Sequence, residues 1–223
     1  MARAPKVYIG IGHGGSDPGA VANGLKEKDV NLAVGLACKV ELERHGVDVM
    51  ISRQKDEQDP LTERIKECNA FNPDQAIDIH FNAGGGDGAE VFHHYKGGES
   101  KELAKSILDS IVKETGQNSR GLKIKLNDQG RDYFGFIRQT NAPAVIVEGA
   151  FLDNKNDVKI IDTVAEQKAM GVAIAHGSLK RFGIAVKPEE SYTVSVSELD
   201  KVVADKLATE LKSKGYKASV NKT

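Results

Sequence analysis

Two histidines and two glutamates of this chain stand where a hydrolytic site can be assembled. His13 follows the apolar run "VYIGIG", and His80 closes the apolar run in "AIDIHFNA". Open α/β sheets bind their ligands beyond the carboxyl ends of their strands. Either histidine alone also fits a hydrogen-bonded structural residue. Two on one rim match the two-histidine, one-carboxylate donor set of zinc hydrolases, which leaves a fourth position for water. Glu27 in "GLKEKDVN" is the candidate carboxylate, at a helix start that the preceding loop can fold back beside His13. Its alternative is an ordinary first-turn acid favoured by the helix dipole. The chain has no H-E-x-x-H, so the ligands must come from separate elements. A metal-activated water also needs a proton acceptor that is not a ligand. Glu148 in "APAVIVEGAFLDN" ends the most hydrophobic strand, where a carboxylate is costly to bury without a partner. Partial burial raises its pKa toward the range of a general base, and the competing role is a salt bridge to Arg53 or Arg138.

Gly10, Gly12 and Gly15 spell G-x-G-x-x-G around His13, the letters of a dinucleotide-binding turn. A pyrophosphate loop requires the helix to begin inside the motif. Here the motif runs into Asp17-Pro18-Gly19 and then Asn23-Gly24, so no helix is expected before Leu25. The second strand is followed by Arg53, not by the acid that would hold a ribose. A nicotinamide-dependent oxidoreductase is therefore disfavoured. The glycines are expected instead to form an open, side-chain-poor loop that points His13 at a metal.

The elements that must position these residues read as an α/β protein with an open, twisted, mostly parallel or mixed sheet flanked by helices. Strands are expected at Lys6–Ile11, Val47–Ser52, Gln75–His80, Ala89–Tyr95 and Ala144–Glu148. The first helix places Val30, Ala33, Val34, Ala37 and Val40 on one stripe and stops at Gly46. "PLTERIKECNAFNP" is a second helix, "ESKELAKSILDSIVKETG" a third with Leu103, Ile107 and Ile111 inward, and Asp162–Phe182 a fourth. The polar stretch Gln117–Gln139 resists assignment, apart from "LKIKL" as an edge strand. Beyond it, 184–191 reads as a linker and 192–223 as a small partial β-α-β segment with Ser197 as the helix cap.

With 31 Lys and Arg against 32 Asp and Glu, no nucleic-acid footprint is evident. No apolar run reaches the ~18 residues of a membrane span, and "VYIGIG" is too short for a signal-peptide core. The expectation is a protein made in the cytoplasm that acts after release. Cys38 and Cys68 lie inside helical segments and read as buried free thiols.

The ordered motifs "IGHGGSDPGA", "LKEKDVN", "LTERIKECN", "IHFNA", "GAEVF", "RGLK" and "IRQTNAPAVIVEGAFLDNKND" resemble those of zinc-dependent N-acetylmuramoyl-L-alanine amidases of the amidase-3 type, over residues 5–182. The resemblance implies a catalytic domain over 1–183 that hydrolyses the amide between N-acetylmuramic acid and L-alanine in peptidoglycan. It implies a Zn2+ ion held by His13, Glu27 and His80, with Glu148 as catalytic acid/base and Asn82 shaping the site beside the metal. Arg64 matches a family arginine read as structural, and His93 and His94 fall outside the motifs as surface or strand residues. Where the family usually has E-x-G-F, this chain has Glu148-Gly149-Ala150-Phe151, which keeps the glutamate and the aromatic. The settings implied are phage endolysin, spore or cell-wall autolysin. Residues 192–223 are similar to the first half of a SPOR-type glycan-binding repeat. The alternatives are a zinc peptidase acting on stem peptides and a non-catalytic wall-binding protein.

Overall fold

Strand alternation decides what each face of the sheet carries. The computed structural model describes residues 3–188, 200–213 and 220. Met1–Val186 and Lys187–Thr223 form separate compact units. In the first unit β1 (Lys6–Ile11) leads through a small hairpin, β2 (Val21–Ala22) and β3 (Leu25–Lys26), into α1 (Glu27–Arg44). There follow β4 (Asp48–Ile51), α2 (Leu61–Phe71), β5 (Gln75–Asn82), β6 (Ala89–His93), α3 (Glu99–Thr115) and β7 (Ser119–Lys123). The unit closes with α4 (Gly135–Gln139), β8 (Ala144–Phe151), a short 3-10 turn (Asp157–Ile160) and α5 (Val164–Arg181).

Six strands form one sheet in the order β4-β1-β5-β8-β6-β7. The pairs β1–β4, β1–β5, β5–β8 and β6–β7 are parallel, whereas β6 runs antiparallel to β8, so the sheet is mixed. Val7, Ile9 and Ile11, with Ile77, Ile79, Phe81, Val145 and Val147, face one side and pack into a common core with α1, α3 and α5. Tyr8, Ala76 and Ala144 face the other side against Ile65 and Cys68 of α2 and Phe136 of α4. Burial of each such aliphatic side chain stabilises the fold by roughly 1.5–3 kcal/mol. By the same period of two, Asp78, His80, Asn82 and Glu148 belong to the α2/α4 face, toward the carboxyl ends of β5 and β8.

Helix starts and stops follow local chemistry. Gly46 at φ +79° and Gly116 at φ +75° end α1 and α3, and Asn72 at φ +50° ends α2 before Pro73. Thr163 and Glu166 start α5 with a reciprocal capping box.

Several expectations are corrected. Val40 is 63% exposed, and the inward stripe of α1 is Val30, Val34, Cys38 and Leu42. That i, i+4 row drifts slowly round the helix and leaves Val40 on the outer side. The edge strand in the polar stretch is Ser119–Lys123, earlier than "LKIKL", and α4 follows it. β5 and β8 each run past their histidine and glutamate, to Asn82 and Phe151. Cys38 and Cys68 are buried free thiols. In the second unit α6 (Lys201–Ser213) is the expected helix. Asp200 accepts from the Val203 N–H at its start, while Ser197 and both flanking strands lie outside the described residues. No helix of the described residues is long and apolar enough to cross a membrane.

Candidate active site

His13, Glu27 and His80 converge at the carboxyl end of β1 and β5. His13 leaves β1 in the left-handed region at φ +62°, an unusual place for a residue with a Cβ. The preceding Gly12 carbonyl accepts from Asn31 Nδ2 at 2.9 Å and from Arg53 Nη2 at 3.2 Å, which fixes the turn. Gly12 sits beside His80, and a Cβ there would lie 2.3 Å from a His80 ring carbon. The glycine is thus required for room, since its neighbour's imidazole lies against its backbone. Gly10 stands in the same relation to Asp78, whose Oδ1 is 2.4 Å from where a Cβ would be.

Glu27, the first residue of α1, is buried and lies between the two imidazoles. Its Oε2 is 3.1 Å from His13 Nε2, and its Oε1 is 3.0 Å from His80 Nδ1. The backbone N–H groups of Ala20 and Phe81 donate to the same two oxygens. Each histidine turns its other nitrogen toward a second carboxylate. His13 Nδ1 lies 2.8 Å from Asp17 Oδ2, and His80 Nε2 lies 3.5 Å from Asp78 Oδ2. One ligand atom from each of His13, Glu27 and His80 can be chosen so that all lie within 4.8 Å of one another. This is the donor set of a divalent transition metal with outer carboxylates orienting the imidazoles, and the residues fit zinc.

Burial alone would raise the Glu27 pKa, but hydrogen bonds with His13 and His80 hold it well below the ordinary carboxylate range. Burial likewise opposes protonation of His80, yet Asp78 and Glu27 push its pKa up to about 10. A carboxylate that draws protons onto two imidazoles also draws a cation to the same lone pairs, and metal binding displaces those protons.

Glu148 is the Cα partner of His80 across β5 and β8. Its Oε2 is buried and has no hydrogen-bond partner. Burial pushes its carboxyl up to about 7; Glu27, Glu90 and Asp78 add to the rise and His80 opposes it. Neither arginine considered from the sequence pairs with it. Arg53 donates to the Gly12, Lys28 and Lys55 carbonyls, and Arg138 to those of Asp132 and Tyr133. An ionisable, unpartnered acid thus stands directly beside a metal-type cluster.

Residues 7–180 match the family model described as N-acetylmuramoyl-L-alanine amidase, Amidase_3. This chain belongs to that amidase family. It is 33% identical over 219 residues to the N-acetylmuramoyl-L-alanine amidase CwlM of Bacillus licheniformis, covering 96% of this chain and 84% of that protein. It is 34% identical over 198 residues to the endolysin of Bacillus phage SPP1, covering 82% and 71%. Among solved structures, Cwp6 from Clostridium difficile superposes with a TM-score of 0.79 at 35% identity, over 81% of this chain and 30% of that one.

Around the amidase cluster a second layer of buried charge holds the rim. Asp78 Oδ1 accepts from Arg64 Nη1 at 2.8 Å, and Arg64 Nε is 3.5 Å from Asp59 Oδ2, all three side chains being buried. Arg64 therefore braces the strand that carries His80. Asn82 donates through Nδ2 to Glu90 Oε1 at 2.9 Å, and Arg120 Nε donates to Glu90 Oε2 at 2.9 Å. Glu90 is in turn the Cα partner of Glu148 across β6 and β8. The Asn82 amide is thus committed to the Glu90 carboxylate.

Sequence reasoning missed Asp78 and Glu90. The signal for Asp78 was a charge two residues before His80, hence on the same face of a strand. The signal for Glu90 was an acid inside the apolar run "AEVF". His93 ends β6 buried, with Nδ1 on the His94 carbonyl oxygen, while His94 Nε2 lies 3.1 Å from Asp132. Both stay outside the metal-type cluster.

Proposed function

We propose that this chain is a zinc-dependent peptidoglycan amidase that cleaves the bond between the lactyl group of N-acetylmuramic acid and the L-alanine of the stem peptide. Membership of the amidase family supports the reaction class. The carrying observation is the Glu148 carboxylate, buried and unpartnered at Oε2, in register with His80 of the cluster. In this reading His13, Glu27 and His80 hold the zinc ion. Zinc bound there supplies Lewis-acid activation of water and of the scissile carbonyl.

The remaining work falls to the chain's own groups. Glu148 accepts the proton that the attacking water loses and returns it to the departing amine nitrogen of L-alanine. Its burial serves both halves, since a pKa near neutrality makes it a competent acceptor and then a competent donor. Asp17 and Asp78 orient the two imidazoles. Glu90, paired with Arg120 and hydrogen-bonded by the Asn82 amide, adds a carboxylate beside Glu148 without leaving a bare charge.

We assign catalysis to residues 1–183 and wall attachment to the segment 192–223 joined by the linker 184–191. The natural setting is lysis of a cell wall from a phage, spore or autolytic enzyme. Mass spectrometry of digested peptidoglycan tests the reaction. A new L-alanine amino terminus together with intact muramic acid is the expected result, lost on chelation and restored by zinc. Cleavage within the stem peptide would make the chain a peptidase, and no cleavage would leave a wall-binding protein.

A further inference from the structure

Beyond β7 the chain doubles back over residues 124–134 before entering α4 as a firmly fastened hairpin. Leu126 bridges Asp132 antiparallel, Tyr133 N–H donates to the Lys125 carbonyl, and Asn127 N–H to the Arg131 carbonyl. The Asn127 side chain accepts from the Gln129 and Arg131 N–H groups, and Gly130 takes φ +68° in the turn. At its base the Asp132 carboxylate is buried, accepts from Tyr95 N–H and pairs with His94. Arg138 donates to the Asp132 and Tyr133 carbonyls at 2.6 and 2.7 Å.

This fastening holds an aromatic ring in solvent. Tyr133 is 51% exposed, and Ile124 and Leu126 of the same hairpin are 52% and 46% exposed. The Tyr133 ring meets Phe134 edge-on at 5.3 Å, and Phe134 meets Phe92 at 4.9 Å. Phe92 lies two residues beyond Glu90 on β6, hence on the same face of the sheet as Glu90 and Glu148. The aromatic series therefore starts at the Phe92–Ile146 row, one same-face step from the Glu90–Glu148 row toward the amino end of β8, and ends at the surface. Lys125 Nζ stands 4.1 Å from the Tyr133 ring centroid. A rigid, exposed phenol ring with a cation and aliphatic neighbours marks a contact surface that loses little side-chain entropy on binding.

We propose that the 124–134 hairpin, through Tyr133, is a saccharide subsite that holds the N-acetylated glycan strand of the substrate at a distance from the reacting bond, at the surface beyond Phe92. The proposal rests on the peptidoglycan reading given above. A pyranose ring presents an apolar C–H face, which packs on an aromatic ring, and a polar rim of hydroxyl and acetamido groups within reach of donors such as Lys125.

The chain has no tryptophan, so Tyr133→Trp creates a single local fluorophore in the full-length protein. Titration with glycan strands stripped of their peptides reads binding without turnover, since these carry no scissile amide. A saturable blue shift with the strands, and none with free stem peptide, is expected. No shift with the strands, or the same shift with stem peptide, overturns the subsite. Kinetics give the second arm. Tyr133→Ala is expected to raise KM on polymeric wall about tenfold with kcat held, leave a one-sugar muramoyl peptide unaffected, and be rescued by Tyr133→Phe. Equal losses on both substrates, or failure of Tyr133→Phe to rescue, overturn it. The fluorescence arm does not depend on cleavage, so it stands apart from failure of the parent enzyme to release L-alanine amino termini.

Discussion

His80 and Glu148 are Cα partners in the parallel pairing of β5 with β8, so one cross-strand row carries both a metal-type ligand and an unpartnered carboxylate. Two residues of adjacent strands in register share a face at a spacing set by the sheet itself. The spacing between His80 and Glu148 is therefore built into the backbone pairing of two strands.

The first consequence concerns Glu148→Gln. The amide keeps the shape of the side chain and removes the proton acceptor. Wall lysis is expected to fall by about 10²–10⁴-fold, the usual contribution of a positioned general base, while zinc content is unchanged. Turbidity clearing of purified walls beside metal analysis checks both. Loss of zinc in this variant would make Glu148 a ligand.

The pH dependence follows from the same carboxylate. Burial raises the Glu148 pKa to about 7, and the base works only when ionised, so kcat/KM rises with pH through an acid limb. A cation bound at the neighbouring cluster favours the ionised form and brings the midpoint to 7 or below. Glu90→Gln removes a nearby like charge and leaves Arg120 without its carboxylate, and both effects lower the Glu148 pKa. The acid limb of the variant is expected at lower pH than that of the parent. A shift to higher pH would show that the two carboxylates are not coupled as described.

Arg64 tests the support beneath His80. Arg64→Leu leaves Asp78 buried without its main cation, next to Asp59. Removing one partner of a buried pair costs about 3–5 kcal/mol because a charge is stranded. Chemical denaturation is expected to show a loss of that size. Arg64→Leu combined with Asp78→Asn should recover part of it.

Much of this was legible in the sequence, and the reasons for the rest are physical. The apolar runs gave β1, β5 and β8 because buried strands are continuous in hydrophobic residues. Their carboxyl ends then marked His13, His80 and Glu148. Glu27 was legible from the helix start, where it doubles as a first-turn acid. The pairings of Asp78 with Arg64 and of Glu90 with Arg120 were not, because strand period shows that a charge sits on a buried face but not which charge elsewhere in the chain meets it. The 124–134 hairpin escaped for a related reason. Its fold depends on Asn127, Asp132 and Arg138 contacts and not on an apolar period. The small β2–β3 hairpin, stabilised by a single short pairing, was equally invisible.

Gly12 supplies the last prediction. From sequence the glycines of "GIGHGG" read as an open loop, but in the fold Gly12 gives room to the His80 imidazole. Gly12→Ala places a methyl group 2.3–2.6 Å from His80 ring atoms, so the ring must rotate or the strand must shift. Overpacking of this kind costs about 1–3 kcal/mol. The larger effect falls on the metal site, since a displaced imidazole no longer faces Glu27. Zinc affinity is expected to drop at least as far as it does when an orienting partner is lost, about 10–100-fold, with far-ultraviolet circular dichroism unchanged. Competition with a chromophoric chelator measures the affinity directly. An unaltered affinity would mean that the room Gly12 provides is not what holds His80 in place.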